Sequence, residues 1–322
     1  MSKKNVSLKA IAAELGLSIN TVSHAIRDMP DISKATKQKV REKALELGYM
    51  PNIVSQRLKK GEKPVVALLV SSFSNLYFNS LCNELIKIFK KKNAYDIQIT
   101  YFDGDYMEAL KQCILQRVDL ILTHTKLTEE AATFAKLNGI KTILAGTAEA
   151  EADTDSVSVN DAMGCAQAAR YLWSMHRCQR YLYVGIDYSL SEIRYSRFRQ
   201  ELRNLGVKDI AYLNYDKEGA QKLLECINDG YRSLFFYNDA TAYSALAELD
   251  EIAIDIRKYF PDLHLIGFDG LCEAITGLKQ ITTIKIDYPL FASEIYKMIA
   301  FRMENPNAPF RHVTIPTSLH RR

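Results

Sequence analysis

Apolar residues near the N-terminus recur at the spacing of short amphipathic helices. A stripe at i, i+3, i+4 and i+7 predicts a helix over Val6–Leu15, behind a Ser7 cap, and consists of Leu8, Ile11, Ala12 and Leu15. Gly16 ends this helix, and Ser18 can cap a second one whose buried face is Val22, Ala25 and Ile26. Two short helices joined by a glycine-containing turn form a helix-turn-helix.

The other face of the second predicted helix carries side chains that suit contacts with DNA. These are Ile19, Asn20, Ser23, His24 and Arg27. An asparagine can pair with two major-groove groups of adenine, an isoleucine can contact a thymine methyl group, and a histidine can donate to guanine or to a phosphate. Ser-capped amphipathic helices are also common in ordinary globular cores, so the helix pattern alone leaves both interpretations open.

The distribution of charge favours the DNA interpretation. A third helix is predicted from a Ser33 cap to about Leu47, and its cationic residues are Lys34, Lys37, Lys39, Arg41 and Lys43. Residues 1–63 hold 13 Lys and Arg against 6 Asp and Glu, whereas the whole chain of 322 residues has a net charge of only +4. The positive charge is therefore concentrated beside the candidate reading helix, as expected of a segment that binds a polyanion.

After residue 64 the pattern changes to alternating strands and helices. The continuous apolar run Val65–Val70 is typical of a strand covered on both faces of a parallel sheet. Further strands are predicted at 97–102, 120–123 and 142–145, and, after 153–159, at 181–184, 210–213, 233–236 and 263–268. Helices are predicted between them at 77–91, 106–116, 129–138, 164–175, 197–205, 219–227 and 241–251. This alternation predicts an α/β core of two doubly wound parallel sheets behind an all-α helix-turn-helix domain.

Several runs of this sequence resemble the LacI/GalR family of bacterial transcription regulators. They are Val6–Ala12, Gly16–Ser23, Gly48–Asn52, Asn75–Phe78, Asn238-Asp239 and Gly267–Asp269. The resemblance implies a helix-turn-helix DNA-binding domain at 1–49, a hinge helix or linker at 50–62, and a two-lobe periplasmic-binding-protein-like core at 63–322 for effector binding and dimerisation. It implies a first lobe at about 63–159 and 288–306, and a second at about 160–284 and 310–322. The chain is expected to cross between lobes near Ile281–Ile284, and Ile315–Leu319 is expected to end on the second.

The resemblance also assigns the contacts with DNA. Ile19, Asn20 and His24 occupy base-reading positions, and Thr21 and Ser23 lie against the DNA backbone. The expected DNA-binding residues are Ser18, Ile19, Asn20, Thr21, Ser23, His24, Arg27, Asn52, Ser55 and Leu58. The family usually has arginine where His24 stands, and histidine makes fewer contacts with guanine, so a different base preference is expected there.

The hinge is expected to fold only when DNA supports it. Asn52 can cap a helix that ends at Leu58, but so short a helix is marginal alone in water. DNA and a second subunit would stabilise it, with Leu58 as a wedge in a minor-groove base step. The alternative interpretation is a basic linker over residues 50–63.

Loops after the strands are the expected ligand site. Ligands of open α/β sheets bind beyond the carboxyl ends of the strands, and this rule points to the same loops as the resemblance. The expected ligand-binding residues are Phe73, Asn75, Tyr77, His124, Asn160, Arg194, Asn238, Asp239 and Asp269. Packing or capping is an equally good interpretation of Phe73, His124 and Asn160. Acidic, amide, arginine and aromatic side chains together favour a sugar or sugar phosphate over a purine.

These observations predict a cytoplasmic, nucleoid-associated bacterial regulator, most simply a repressor. It would bind double-stranded DNA as a homodimer, at an approximately palindromic operator, and respond to a small carbohydrate effector that acts as inducer or co-repressor. The alternative is a solute-binding protein with a basic N-terminal extension, which is disfavoured because the sequence shows no signal-peptide pattern.

An enzyme is not expected. The sequence shows no glycine-rich phosphate loop, nucleophile elbow or metal-ligand cluster, so we assign no catalytic residue, cofactor or metal. The six cysteines are scattered and predict neither a zinc site nor disulfides. No run approaches the roughly 20 apolar residues of a membrane span, so no membrane partner is expected.

Overall fold

Three helices form the N-terminal part of the chain: α1 (Leu8–Leu15), α2 (Ile19–Ile26) and α3 (Lys34–Glu46). The computed structural model describes residues 8–26, 29–47, 63–71, 75–102, 104–146, 153–175, 180–251, 256–271 and 281–321. The three helices share a small core of their own, made of Ile11, Ala12, Val22, Ala25, Val40 and Ala44. The apolar stripes read from the sequence therefore face one another.

Hydroxyl caps begin the second and third helices, as predicted. The Ser18 hydroxyl oxygen accepts a hydrogen bond from the Thr21 amide at 3.0 Å, and Ser33 accepts one from the Thr36 amide at 3.2 Å. Each cap satisfies one of the amide groups that the first turn leaves without a partner. The predicted cap Ser7 lies outside the described residues.

The first sheet has six strands in the order β11-β5-β4-β3-β1-β2. They are β1 (Val65–Val70), β2 (Asp96–Tyr101), β3 (Leu120–Thr123), β4 (Lys141–Gly146), β5 (Asp155–Val159) and β11 (His312–Ile315). The helices that follow them are α4 (Leu76–Lys92), α5 (Tyr106–Leu115) and α6 (Glu129–Leu137). Strand β1 is buried along its whole length and pairs in parallel with β2 and β3, as expected of a central strand.

The second sheet repeats this arrangement with the order β12-β10-β9-β8-β6-β7. Its strands are β6 (Arg180–Gly185), β7 (Asp209–Asn214), β8 (Ser233–Phe236), β9 (His264–Asp269), β10 (Thr282–Ile286) and β12 (Thr317–His320). The remaining helices are α7 (Asp161–Met175), α8 (Ser189–Asn204), α9 (Tyr215–Asn228), α10 (Asp239–Glu251), α11 (Ile256–Tyr259) and α12 (Tyr288–Glu304). Strand β12 runs antiparallel to β10, whereas the pairs β6/β7, β6/β8, β8/β9 and β9/β10 are parallel.

The chain divides into two compact units, residues 1–71 with 92–143, and residues 72–91 with 144–322. The two doubly wound sheets confirm the predicted fold class. In the part of the chain that the structure describes, every helix is too short or too polar to cross a bilayer.

Two segments near the end of the chain differ from the prediction. Residues 281–284, where the resemblance implied a crossover, belong mostly to β10, because they pair with β9 and β12 in the second sheet. Residues 310–322 were assigned to one lobe, but β11 pairs with β5 in the first sheet and β12 with β10 in the second. A single residue, Pro316, separates these two strands, so a pattern of strand lengths could not show the change of sheet.

Helix α8 also begins earlier than predicted, at Ser189 instead of Arg197. Its buried stripe is Leu190, Arg194, Phe198 and Leu202, one residue in each turn. Because a charged arginine occupies a core-facing position, the first two turns did not show an apolar pattern.

A buried ion pair anchors the chain as it enters β11. Both oxygens of Asp155 accept hydrogen bonds from Arg302, Oδ2 from Nε at 2.5 Å and Oδ1 from Nη2 at 2.9 Å. Asp155 Oδ1 also accepts from the Arg311 amide at 2.9 Å. The Arg302 guanidinium further donates to the backbone carbonyls of Asn305, Pro306, Ala308 and Pro309. One side chain thus satisfies the polar groups of the whole turn between α12 and β11.

We expect Asp155→Asn to lower the free energy of unfolding of the core by about 3–5 kcal/mol, because it leaves the Arg302 cation buried without its counter-ion. The matched control is Asp209→Asn, which breaks the exposed Arg180–Asp209 pair at 2.9 Å. This control should cost a small fraction of that amount, because water already solvates both partners. Urea unfolding of the two variants measures the difference, and equal costs would contradict the role given to Asp155.

Candidate functional site

The exposed face of helix α2 carries both polar and apolar side chains. Ser18, Ile19 and Asn20 are exposed, and Ile19 retains 49% of its accessible surface, which is high for an isoleucine. Thr21 and His24 are half-buried, whereas Ser23 is buried at 9% exposure. The expected base-reading residues Ile19, Asn20 and His24 thus all have exposed surface. Arg27, Asn52, Ser55 and Leu58 lie outside the described residues.

His24 is held by an acidic residue of the loop before α3. Its Nδ1 atom lies 2.6 Å from Asp31 Oδ2. This hydrogen bond is the main reason why the pKa of the Asp31 carboxyl lies below its ordinary value. Because Nδ1 is engaged, Nε2 is the ring nitrogen that is left for another partner.

A cavity of about 490 Å³ lies at the carboxyl ends of strands β6, β8 and β9. The start of α4, the first turn of α9 and one face of α10 complete its walls. Its lining residues are Asn75, Leu76, Tyr77, Ile186, Tyr215, Asp216, Asn238, Ala240, Thr241, Ser244, Glu248, Asp269 and Leu271. The position follows the general rule for ligands of open α/β sheets.

Four of the nine expected ligand-binding residues line this cavity: Asn75, Tyr77, Asn238 and Asp269. Asn75 and Asn238 also cap helices, because their Oδ1 atoms accept hydrogen bonds from the amides of Phe78 and Thr241 at 3.1 and 2.8 Å. These bonds engage the amide oxygens of both side chains.

The other expected residues are placed elsewhere or lie outside the description. Asn160 caps α7 by accepting from the Met163 amide at 2.9 Å. His124 lies 3.3 Å from the Ser71 hydroxyl, at the carboxyl ends of β3 and β1, and burial lowers its pKa. Phe73 lies outside the described residues.

Arg194 is buried behind the cavity wall. Its Nε donates to Asp161 Oδ1 and its Nη1 to the Tyr237 carbonyl, both at 2.7 Å, while Nη2 lies 3.6 Å from Asp269 Oδ1. The guanidinium also stacks on the Phe268 ring, 3.7 Å from its centroid. Burial lowers the pKa of Arg194, but the carboxylates of Asp161 and Asp269 outweigh burial and hold it well above its ordinary value. The side chain is therefore a permanent cation whose partners belong to the protein.

Asp239 is fully buried and joins three segments of the second sheet. Its Oδ1 accepts from the Thr283 hydroxyl at 2.7 Å and its Oδ2 from the Leu271 amide at 2.6 Å. A Cβ atom on Gly267 would lie 2.0 Å from Asp239 Oδ1, so only glycine fits there. The Asn238-Asp239 and Gly267–Asp269 motifs thus pack against each other.

Burial controls the acidity of the two aspartates around this junction. It raises the pKa of Asp239 to about 8, with a further contribution from the charge of Asp269. It raises the pKa of Asp269 to about 6, against the opposing effect of Arg194. Asp269 also adopts φ of 98°, a left-handed conformation that is uncommon outside glycine, immediately before Gly270. This backbone turn directs Asp269 into the cavity lining.

Sequence reasoning missed most of the wall formed by α9 and α10. Tyr215 and Asp216 are in the first turn of α9, and Thr241, Ser244 and Glu248 follow the Asn238 cap along α10. The last three recur at i, i+3 and i+7, so the polar stripe after a cap was a usable signal.

Comparisons with known proteins agree with both parts of this description. Residues 7–52 match the family of bacterial regulatory proteins, lacI family, and residues 169–322 match the periplasmic binding protein-like domain. The HTH-type transcriptional regulator RegA of Clostridium saccharobutylicum is 25% identical over 297 residues, 86% of each chain.

Solved structures share the fold. The lac repressor dimer bound to operator and the anti-inducer ONPF superposes with a TM-score of 0.66 at 18% identity, over 98% of each chain. A LacI family transcriptional regulator from Enterococcus faecium with bound ribose gives 0.68 at 22% identity, over 80% of this chain and 97% of that one.

A helix-turn-helix domain and a core with a small-molecule cavity define a ligand-responsive transcriptional regulator, not an enzyme. The chain thus joins a DNA-binding domain of the lacI family to a periplasmic binding protein-like domain, and the relatives that it resembles over most of its length are transcriptional regulators. The match of residues 7–52 to a DNA-binding family also argues against a solute-binding protein with a merely basic extension.

The raised pKa of Asp239 predicts how stability depends on pH. Because the folded-state value of about 8 exceeds the ordinary 3.8, the contribution of this group to stability is present at low pH and lost as pH rises through about 8. Between pH 6 and 8, this group should lower the free energy of unfolding of the wild type by up to about 1.4 kcal/mol per pH unit. We expect Asp239→Asn to abolish this contribution. Thermal unfolding across that range measures it. The exposed control Asp229→Asn should keep the wild-type slope, and a variant at Asp239 that also kept it would contradict the assignment.

Proposed function

We propose that this regulator is a repressor that binds an approximately palindromic operator as a homodimer, and that a small sugar or related polyol in the cavity sets its operator affinity. The observation that carries the proposal is the exposed Ile19-Asn20 face of a capped helix in a chain that also contains a polar cavity. The proposed domains are 1–49 for DNA reading, 50–62 as hinge, and 63–322 as the effector-binding core.

The proposed contacts with DNA follow from the chemistry of the exposed face. Asn20 pairs with adenine, Ile19 contacts a thymine methyl group, and His24 uses Nε2 because Asp31 occupies Nδ1. Cationic residues of α3 lie near phosphates and supply affinity that does not depend on sequence. Ser18 and Thr21 lie beside the backbone, and Ser23 supports the helix from its buried side. We retain Arg27, Asn52, Ser55 and Leu58 as proposed contacts from the family resemblance.

The proposal of a homodimer is supported by an exposed apolar patch at the edge of the first sheet. Strand β2 is the outermost strand, and Ile99 and Tyr101 on it are 48% and 54% exposed. Leu115, at the end of the neighbouring helix α5, is 76% exposed. Such a patch on an unpaired edge favours association with another protein surface. The lac repressor, one of the solved structures that share this fold, is described as a dimer bound to operator.

The proposal of a carbohydrate effector is supported by the polar lining of the cavity and by the ribose in the Enterococcus faecium neighbour. Asn75, Asn238 and Asp269 supply groups for hydroxyl recognition, and Tyr77 supplies a ring. We retain as proposed supporting residues of this site Phe73, His124, Asn160, Arg194 and Asp239. Arg194 and Asp239 support the site by holding its loops, since their polar groups already have protein partners.

A ligand in this cavity can couple to DNA binding through α4. It would contact both the first turn of α4 and the loops after β6, β8 and β9, so it would favour one position of α4 over another. Whether the favoured position strengthens or weakens operator binding decides between co-repressor and inducer.

The DNA-reading role predicts different effects for two substitutions. Asn20→Ala should cost about 1–3 kcal/mol on the selected operator and relax the preference at one base pair. Lys37→Ala should weaken binding to all sequences and reduce the dependence of affinity on salt by about one unit of slope. Gel shifts of each variant on operator and scrambled DNA at several salt concentrations measure both effects. Gln38→Ala, an exposed neutral control on α3, should change neither, and identical behaviour of the two variants would refute the assigned roles.

The regulator as a whole is tested by selecting its operator from random DNA and repeating the binding with candidate effectors. We expect nanomolar specific binding and a change of at least about fivefold with the true effector, since coupling between sites is typically about 1–3 kcal/mol. Absence of any sequence preference would contradict the proposal.

A further inference from the structure

Among the described residues that line the cavity, those that can carry a charge are all acidic. Its ionisable carboxyl groups belong to Asp216, Glu248 and Asp269, and no Lys, Arg or His is among the described lining residues. An anionic group placed there would meet the carboxylates of Asp216 and Glu248, and that of Asp269, which is compensated by Arg194 from behind. The charge of the lining therefore opposes a phosphorylated ligand.

Two cations close to the described lining are already compensated. Arg194 lies behind Asp269 and is engaged by Asp161, Asp269 and the Tyr237 carbonyl. Lys217, next to Asp216 in sequence, pairs with Asp187 at 3.0 Å. Recruiting either cation to a ligand phosphate would leave a protein carboxylate unpaired, which is costly for the buried pair.

The lining residues of α10 give the cavity two chemically different ends. Asn238 caps the helix at one end, beside Asp269 on the neighbouring strand, and Glu248 lies on the same helical face. Ala240 and Glu248 are eight residues apart, a rise of about 12 Å along the helix. The first end has amide groups and the Asp269 carboxylate, which is paired with Arg194, whereas the carboxylate at the second end belongs to Glu248.

A buried phenol next to Glu248 is the second sign of a ligand. Tyr215 is 8% exposed and lines the cavity, and its hydroxyl has the Glu248 carboxylate as its polar neighbour. Burial raises the pKa of this phenol, and the neighbouring Glu248 carboxylate raises it further. A phenol oxygen and a carboxylate side by side can both accept hydrogen bonds, so a group with several N–H donors and a positive charge would satisfy them together.

We propose that the effector is a polyhydroxylated molecule that carries a protonated amine and no phosphate, with its hydroxyl groups at Asn75, Asn238 and Asp269 and its ammonium group at Glu248 and Tyr215. This inference rests on the proposed function, because it takes the cavity as the effector site. It narrows the class of expected effectors from carbohydrates in general to amine-bearing polyols such as aminohexoses.

The test uses matched ligands on the purified full chain. Calorimetry is performed with glucose, glucosamine and glucose 6-phosphate, and again with galactose, galactosamine and galactose 6-phosphate. We expect one amine to bind at least about tenfold more tightly than its neutral parent, and both phosphates to bind more weakly than their parents. The advantage of the amine should decrease as salt rises, because an ion pair at the partly exposed Glu248 is screened.

Two variants assign the preference to the proposed contact. Glu248→Gln keeps the shape of the side chain and removes its charge, so the advantage of the amine should fall below about twofold. Glu251→Gln removes an exposed carboxylate of the same helix that does not line the cavity, and should retain the advantage. Thermal unfolding of both variants shows that they fold like the wild type.

Several outcomes would overturn the inference. These are tighter binding of either phosphate than of its parent, no binding of either amine, or an amine preference that survives Glu248→Gln. Specific operator binding without ligand is measured in parallel on the same preparation. Operator binding is also measured with each sugar, because a regulator that needs a co-repressor binds its operator only when the ligand is present. If the inference alone is wrong, specific operator binding is seen under at least one of these conditions; if the proposed function is wrong, it is absent under all of them.

Discussion

A buried arginine between two aspartates organises the proposed ligand-binding part of this protein. Arg194 reaches Asp161 at the start of α7, the carbonyl after β8, and Asp269 at the end of β9. Asp239 continues the network to Thr283 on β10 and to the turn after β9. Removing any member would leave an uncompensated charge or polar group in the interior, so the loops around the cavity are held in one arrangement.

This network also determines the chemistry that the cavity can offer. Because Arg194 is used internally, the polar groups of the described lining are acidic, amide and hydroxyl groups. A regulator of this family that binds a phosphorylated effector would need a free cation, which the described lining does not provide. Under our proposal, the interaction that stabilises the loops also disfavours anionic ligands.

The DNA-reading head depends on different interactions. Among the described residues, its six-residue core, the side chains packed against that core and its two hydroxyl caps all lie between Leu8 and Leu47. The small core leaves the outer face of α2 available, and the contact between His24 and Asp31 orients one reading side chain within that face. The head and the cavity can therefore be altered separately by mutation, which the proposed experiments use.

The sequence alone determined the features that depend on local spacing. Apolar periodicity located the three N-terminal helices, most strands and most core helices, and it pointed to Asn75, Tyr77, Asn238 and Asp269 because they follow strands in the chain. Only the tertiary structure decided which charged residues are internal. Arg194 and Asp239 were expected to bind ligand, but a one-dimensional pattern cannot show that their partners come from distant segments. It also could not assign β11 and β12 to different sheets, because pairing with β5 and β10 depends on contacts more than 30 residues apart along the chain. Local periodicity can be seen in the sequence. The partners that compensate a buried charge come from distant loops, so only the folded structure shows them.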